Sequence, residues 1–442
     1  MYYSKPFVLE PSVCAAWDSG LAEFRESPQL SDALMSGRAA LLPRFAACYV
    51  QFRALPRGAR RALVRRLNRS PQLNYFFQRR GEARALLARS AAGAALLLAL
   101  IQSADAATIT VTTNAPGIND LDGRCSLIEA IINANGDAAT HADCAAGSGA
   151  DTIVLPKGSQ SLTSSYTDYA GATGLPVITS EITIAGNRTK IALAKTAAPF
   201  RVLAVAASGN LTLNDVTISG GAADKGGAIL NYGTLTINDS IISGNTASAR
   251  GGAIYSRDAS AHVVINDSRL TGNQAANGGA IFSYQYVLIA DSLLSGNTAS
   301  GEGGAIANYD GYLRIDHSTI SKNRATRAAA GIDNVYGTAK IFDSIITGNS
   351  AMYGGGIENY ADSTTVSKLY IYHSTVSKNG AGVYAGGIAN INGYLKLADS
   401  TVSGNKANDR GGGVFNHGTA TFTSTNSTIA KNKAPNGADV YP

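Results

Sequence analysis

Asp333 and Glu358 are the residues of this chain best placed to do chemistry. Both stand in the same slot of a recurring phrase, G-G-A-I-x-N, one repeat apart. If that phrase is a strand, the two side chains point outward on neighbouring strands, about 4.8 Å apart. A carboxylate pair suits glycoside hydrolysis, in which one acid protonates the leaving oxygen while the other acts as base or nucleophile. Separations of about 5–5.5 Å serve retention and about 6.5–9.5 Å inversion. A base on such a stripe could instead take a proton beside a uronate carboxylate and so eliminate rather than hydrolyse. The same stripe carries aromatic residues, Tyr232, Tyr255, Phe282, Tyr284, Tyr309, Tyr360 and Phe415. Left exposed, a long apolar stripe is a binding surface for glycan or protein. Covered by turns, it is packing. From the sequence, the pair reads as two surface acids of ordinary pKa, and the aromatics as a binding stripe.

The elements that must position these residues are legible in the repeat. From Leu211 onward a phrase of the form L-x-I-x-x-S-x-I-x-G-N, a small-residue turn, then G-G-A-I-x-N is written about nine times. Its Asn recurs at Asn245, Asn273, Asn297, Asn323, Asn349, Asn379, Asn405 and Asn432, at intervals of 24 to 30 residues. A period in that range marks a solenoid, whose units bury an apolar face only by stacking. Within each unit apolar residues alternate with a period of two, as in Leu235-Thr236-Ile237, which marks strands. Ile242, Leu270, Leu294 and Ile320 open a further apolar column, and Ile229, Ile254, Ile281 and Ile306 another. Each unit thus offers about four aliphatic side chains to a shared core, worth roughly 1.5–3 kcal/mol apiece when buried. Three short strands and tight turns fit, and the expected fold is all-β, a single-stranded parallel β-helix. Leucine-rich repeats are the rival, but the return segment T-A-S-A-R-G-G-A-I is poor in helix formers.

Two polar columns run beside the apolar ones. The Asn column, and a Ser column from Ser240 to Ser427, are expected to hydrogen-bond along the axis. A third runs Asp215, Asp239, Asp267, Asp291, His317, Asp343, His373, Asp399 and Asn426. Such an acidic row could hold Ca2+, but it falls at a turn where Asp and Asn serve the backbone, and no G-G-x-G-x-D nonapeptide supports calcium. No cofactor or metal site is expected, and His141 alone is weak support for one. A Ser-His-Asp set and a phosphate loop are also missing, and the repeats keep their regularity, with a modest interruption at Tyr360 to Lys368. Function therefore reads as a binding scaffold, adhesin-like, with a polysaccharide lyase or hydrolase as the alternative.

The N-terminal part has a different character. Residues 1–80 are Arg-rich, with the only Trp, Trp17, and a basic stretch from Arg57 to Arg66. Residues 81–106 follow as a candidate secretory signal: after Arg79 and Arg80 come Arg84 and Arg89, the apolar run Ala91 to Ile101, then Ala104-Asp105-Ala106 ahead of Ala107. That run is too short to cross a bilayer comfortably, and no transmembrane segment is expected after it. The exported chain divides into a cap with first coils, 107–200, and repeats, 201–442. The net charge of +6 belongs to the leader: its 106 residues hold 15 Lys+Arg against 7 Asp+Glu, leaving 22 against 24 beyond. Nucleic acid is therefore not an expected partner; a polysaccharide or cell-surface protein is. Of four cysteines, Cys14 and Cys48 precede the cleavage site. In an oxidising compartment Cys125 and Cys144 are expected to form a disulfide closing a loop of about 20 residues, worth roughly 3 kcal/mol.

Between those cysteines stands D-G-R-C-S-L-I-E-A-I-I-N-A-N, Asp122 to Asn135. With G-A-D-T-I-V-L-P at Gly149 to Pro156 and G-L-P-V-I-T-S-E-I-T-I-A-G-N at Gly174 to Asn187, it resembles the CSLREA-type secreted β-helix proteins of bacteria. The G-G-A-I and S-G-N repeats are similar to those of chlamydial polymorphic outer-membrane proteins. The resemblance covers Ala107 to Pro442 and implies a right-handed, pectin-lyase-like β-helix with an extracellular or outer-surface location, but no agreed catalytic residues. Ile128 stands where that family has Arg, so no role is carried over for a charge there. Ser126 and Glu129 form the two ends of a capping box, and the helix they start is expected to cover the first coil.

Overall fold

The computed structural model describes residues 106–442 apart from Leu121, Ser363 and Thr364. The Arg-rich stretch, Trp17, Cys14, Cys48 and residues 81–105 of the candidate signal lie outside the described residues. Ala107 is already tied into the structure, its N–H donating to Asp151 Oδ1 at 3.1 Å. The compact unit Ala106–Pro442 is a parallel β-helix of about ten coils. Three sheets, of 21, 10 and 8 strands, run its length, and a short antiparallel hairpin, Thr167–Asp168 with Ala172–Thr173, is set apart from them.

Strict register builds the core. Leu235 and Ile237 lie beside Val263 and Ile265, which lie beside Val287 and Ile289. All six are fully buried, so identical columns stack coil after coil and each strand buries its apolar side only against its neighbours. The anticipated polar columns become ladders. Each Asn side-chain amide donates to the Oδ1 of the Asn one coil on, at 2.9–3.0 Å from Asn245 to Asn432. Each Ser backbone N–H donates to the next Ser Oγ at 3.0–3.1 Å. A second ladder runs Asn308, Asn334, Asn359, Asn390 and Asn416 at 2.7–2.8 Å. These contacts satisfy groups that every corner would otherwise leave buried and unpaired.

The Asp/His row marks the corner itself. All nine residues from Asp215 to Asn426 are left-handed, with φ between 46° and 52°, a region Asp and Asn tolerate better than most side chains. The glycine pair sets the opposite corner. Gly278 is left-handed at φ 65°, and a Cβ on Gly279 would sit 2.1 Å from the carbonyl oxygen of Gly304. At two coils the left-handed corner is held instead by Ala329 and Ala385, at φ 51° and 62°, a strained choice for a residue with a Cβ.

The N-terminal end is capped. Helix α1, Leu127–Gly136, starts at a capping box in which the Glu129 N–H donates to Ser126 Oγ and the Ser126 N–H to Glu129 Oε2. Its apolar side, including Ile128, is buried against the first coils, and a Cys125–Cys144 disulfide ties its start to the following loop. At the other end the strand Thr421–Thr425 is largely exposed. Among the described residues no helix is long and apolar enough to cross a membrane.

Candidate functional site

The ten-stranded sheet carries both sequence-selected groups of residues, arranged as a groove. Register aligns the second residue of each strand into a column: Leu230, Tyr255, Phe282, Ala307, Asp333, Glu358, Ala389 and Phe415. This column faces away from the main core but is covered. Tyr255 and Phe282 are 1% exposed and Phe415 3%, so these three are floor rather than open binding surface. The expectation of an exposed stripe is corrected at those positions. Tyr232, Tyr284, Tyr309 and Tyr360 are partly exposed and form one wall.

The opposite wall comes from the residue before each glycine corner, a column not singled out in the sequence. It holds Arg250, Glu302, Tyr353, Tyr384 and Arg410. Arg250 lies over the Phe282 ring at 4.9 Å and donates to the Tyr284 hydroxyl at 2.9 Å. Tyr353 stacks on Tyr384, and Tyr384 on Phe415, each at 4.6 Å. The groove is therefore lined by ring contacts along much of its length.

Around Asp333 and Glu358 the floor drops. Ala307 and Ala389 flank the acids where other coils place rings, and Ala328 replaces a large wall residue. A cavity of about 410 Å3 opens there, lined by both acids together with Glu302, Arg327 and Tyr309, Tyr336, Tyr353, Tyr360 and Tyr384. The sequence reading of two surface acids with ordinary pKa is overturned. Asp333 is 1% exposed and Glu358 7%, because the wall of Glu302, Tyr353 and Tyr384 stands over them.

Neither acid has a hydrogen-bond or ion-pair partner among the described residues, and Asp333 Oδ2 is a buried, unsatisfied oxygen. Burial, reinforced by the Glu358 and Glu302 charges, holds the Asp333 carboxyl well above the usual range. Burial and then the Glu302 charge push Glu358 up to about 7. Glu302 itself is engaged: it pairs with Arg327, and the Tyr309 hydroxyl donates to its Oε2 at 2.6 Å. Burial first, then the nearby acids, raises Tyr309, while burial and Glu358 push Tyr384 up to about 12. Register places Asp333 beside Glu358, and the cavity adds Glu302, Tyr353 and Tyr384.

A second titratable group gathers near helix α1. Asp120, Glu129 and His141 bring ligand atoms within 4.8 Å of one another. Both Glu129 oxygens already accept backbone N–H groups, from Asn119 and Ser126, and His141 contacts Asp120 at 2.5 Å. These residues hold the cap together. Asp333, Glu358 and Glu302 do not converge in this way.

The three stacked sheets and the ladders are the hallmarks of one class of solenoid. Residues 201–376 match the family model described as right handed beta helix region. The match takes in every residue lining the cavity except Tyr384 and Ile391. It supports the parallel β-helix expected from the repeats and the right-handed, pectin-lyase-like form implied by the resemblance. No curated protein matches the chain.

Proposed function

We propose that this β-helix binds an extended glycan along the groove of its ten-stranded sheet. One observation carries the reading: runs of stacked and edge-on rings flank a deep acidic pocket at Asp333 and Glu358 on both sides. Sugar rings present apolar faces and hydroxyl edges, which suit tyrosine walls above polar groups. Partly exposed Tyr284, Tyr309 and Tyr360 give the ring contacts, and the acids fix the depth and register of the chain. The likeness to CSLREA-type proteins and chlamydial polymorphic outer-membrane proteins, with the candidate signal ending at Ala106, supports export and a role at the outer surface or beyond. A surface or extracellular protein remains the rival ligand, since the same rings could hold one.

Hydrolysis at the acid pair is the second reading, favoured by the burial of both carboxyls. Burial raises both carboxyls, Glu358 to about 7 and Asp333 well above its ordinary range, which suits an acid and a carboxylate working side by side. Asp333 would protonate the glycosidic oxygen as the C–O bond breaks and Glu358 bonds to the anomeric carbon; water, giving its proton to Asp333, would then release the sugar from Glu358. Against it stands the regularity of the coils, whose interruption at Tyr360 to Lys368 is modest.

A binding screen of the full chain over neutral, acidic and basic polysaccharides tests both readings, with product release followed in parallel. Tyr360→Ser and Tyr284→Ser are expected to weaken binding by about 1 kcal/mol or more each. Unchanged binding in both variants would remove the groove from consideration. Turnover lost in Glu358→Gln would favour hydrolysis.

A further inference from the structure

The acid pocket holds two buried carboxyls that its surroundings do not answer. Glu302 has Arg327 and the Tyr309 hydroxyl as partners. Asp333 and Glu358 have neither a cation nor a donor, although they are 1% and 7% exposed and line a cavity of about 410 Å3. Buried carboxyls without partners are costly, and proteins keep few of them. Arg327 does not fill the gap: its side chain is 69% exposed and engaged with Glu302.

The rest of the lining says what would fill it. Rings surround the acids: the Tyr353–Tyr384 stack at 4.6 Å on one side, and the Tyr336–Tyr360 edge pair at 5.9 Å on the other. Faces of tyrosine attract cations, most strongly when water is excluded. A metal ion is a poor occupant, because Asp333, Glu358 and Glu302 do not bring three ligand atoms within 4.8 Å of one another, as Asp120, Glu129 and His141 do. A neutral hydroxyl would find acceptors but would leave the pair uncompensated as it ionises. An organic ammonium group meets both requirements, with N–H donors for the carboxylates and a positive charge for the rings.

We propose that the pocket captures an ammonium group, carried by the bound glycan as a free amine on an amino sugar. This rests on the glycan reading of the groove and names the substrate class at its deepest point. Affinity for the amine follows the charge of the pair, which Glu302, Arg327, Tyr309 and Tyr384 also face. Binding should therefore tighten from about pH 5 to about pH 7, as Glu358 ionises.

The experiment is titration calorimetry of the full chain with three probes: a glucosamine hexasaccharide, its fully N-acetylated counterpart, and an oligolysine. Each is repeated with Asp333→Asn, Glu358→Gln and the double variant, whose folding is checked by circular dichroism. The expected result is binding of the free-amine hexamer about tenfold tighter than the acetylated one. The double variant should lose that preference and bind the two hexamers equally. Equal affinities, or a preference that survives the double variant, would overturn the amine assignment and leave the glycan groove standing. Oligolysine binding as tightly as the free-amine hexamer would replace the amino sugar by a basic peptide. Failure of both hexamers to bind would overturn the amino sugar, and the glycan reading falls with it if no polysaccharide of the screen binds either.

Discussion

Two carboxyls buried without partners make the folded protein sensitive to pH in a direction opposite to that of a salt-bridged acid. Glu358 titrates at about 7 in the fold, against an ordinary value of 4.5. Its folded pKa is raised, so its contribution to stability is complete below about pH 4.5 and is lost as pH rises through about 7. The loss reaches about 3 kcal/mol at full ionisation. Glu358→Gln cannot ionise and is expected to be more stable than the parent at about pH 8, by up to that amount, with little difference at about pH 4. Thermal melts of both proteins across that range check this, and parallel curves would refute it. Binding of a cation should shrink the difference by supplying the missing partner.

Sequence alone placed Asp333 and Glu358 in one stripe because the strand period puts them in the same slot one repeat apart. It did not show their burial. What covers them is the wall of Glu302, Tyr353 and Tyr384, which sits at the glycine corner rather than in an alternating strand. That column is visible once the residue before each G-G is read down the repeats, since Arg250, Glu302, Tyr353 and Arg410 all occupy it. Whether such residues turn over the floor or away from it depends on the backbone of the corner, and periodicity is silent about that. The depth at Ala307, Ala328 and Ala389 is equally hidden: a small residue in a column becomes a cavity only once its neighbours are in place.

At the scale of the strand and corner, ladders rather than side-chain bulk fix the register. Asn349 is 1% exposed. Its amide donates to Ile320 O and to Asn379 Oδ1, while its Oδ1 accepts both the backbone N–H and the amide of Asn323. Asn349→Ala strands several buried polar groups at once. The expected cost is about 2–4 kcal/mol, beyond what a single hydrogen bond contributes. Ser344→Ala leaves one buried N–H, that of Ser318, without its acceptor, and about 1–2 kcal/mol is expected. Urea unfolding of the two variants compares them, and an equal or reversed order would count against the Asn ladder as the stronger device. These ladders were legible because Asn and Ser recur with the apolar columns. So was the capping box of Ser126 and Glu129, which spans only three residues and needs no knowledge of the coils.

For the molecule as a whole, each coil rests on its neighbours, so stability is close to a sum of nearest-neighbour contacts and ends matter more than in a globular domain. The Cys125–Cys144 bridge and helix α1 guard one end. Cys125→Ser with Cys144→Ser is expected to cost about 3 kcal/mol, by releasing a loop of about 20 residues in the unfolded chain. Hydrogen exchange should locate that loss in the cap and first coils, with protection around Ile281 to Ile357 unchanged. A uniform loss of protection along the chain would mean that the solenoid unfolds as a single block.

The exposed coil around Thr421–Thr425 has a mechanical meaning. Under tension applied between its ends, a solenoid has no interlocked core that must yield all at once; the least supported turn gives way first. Peeling should therefore begin at this coil and run toward the disulfide. Each step would release one repeat of 24 to 30 residues, or about 80–110 Å of contour at full extension. Single-molecule pulling would record a train of small, evenly spaced steps, the remaining coils keeping their groove as the chain lengthens.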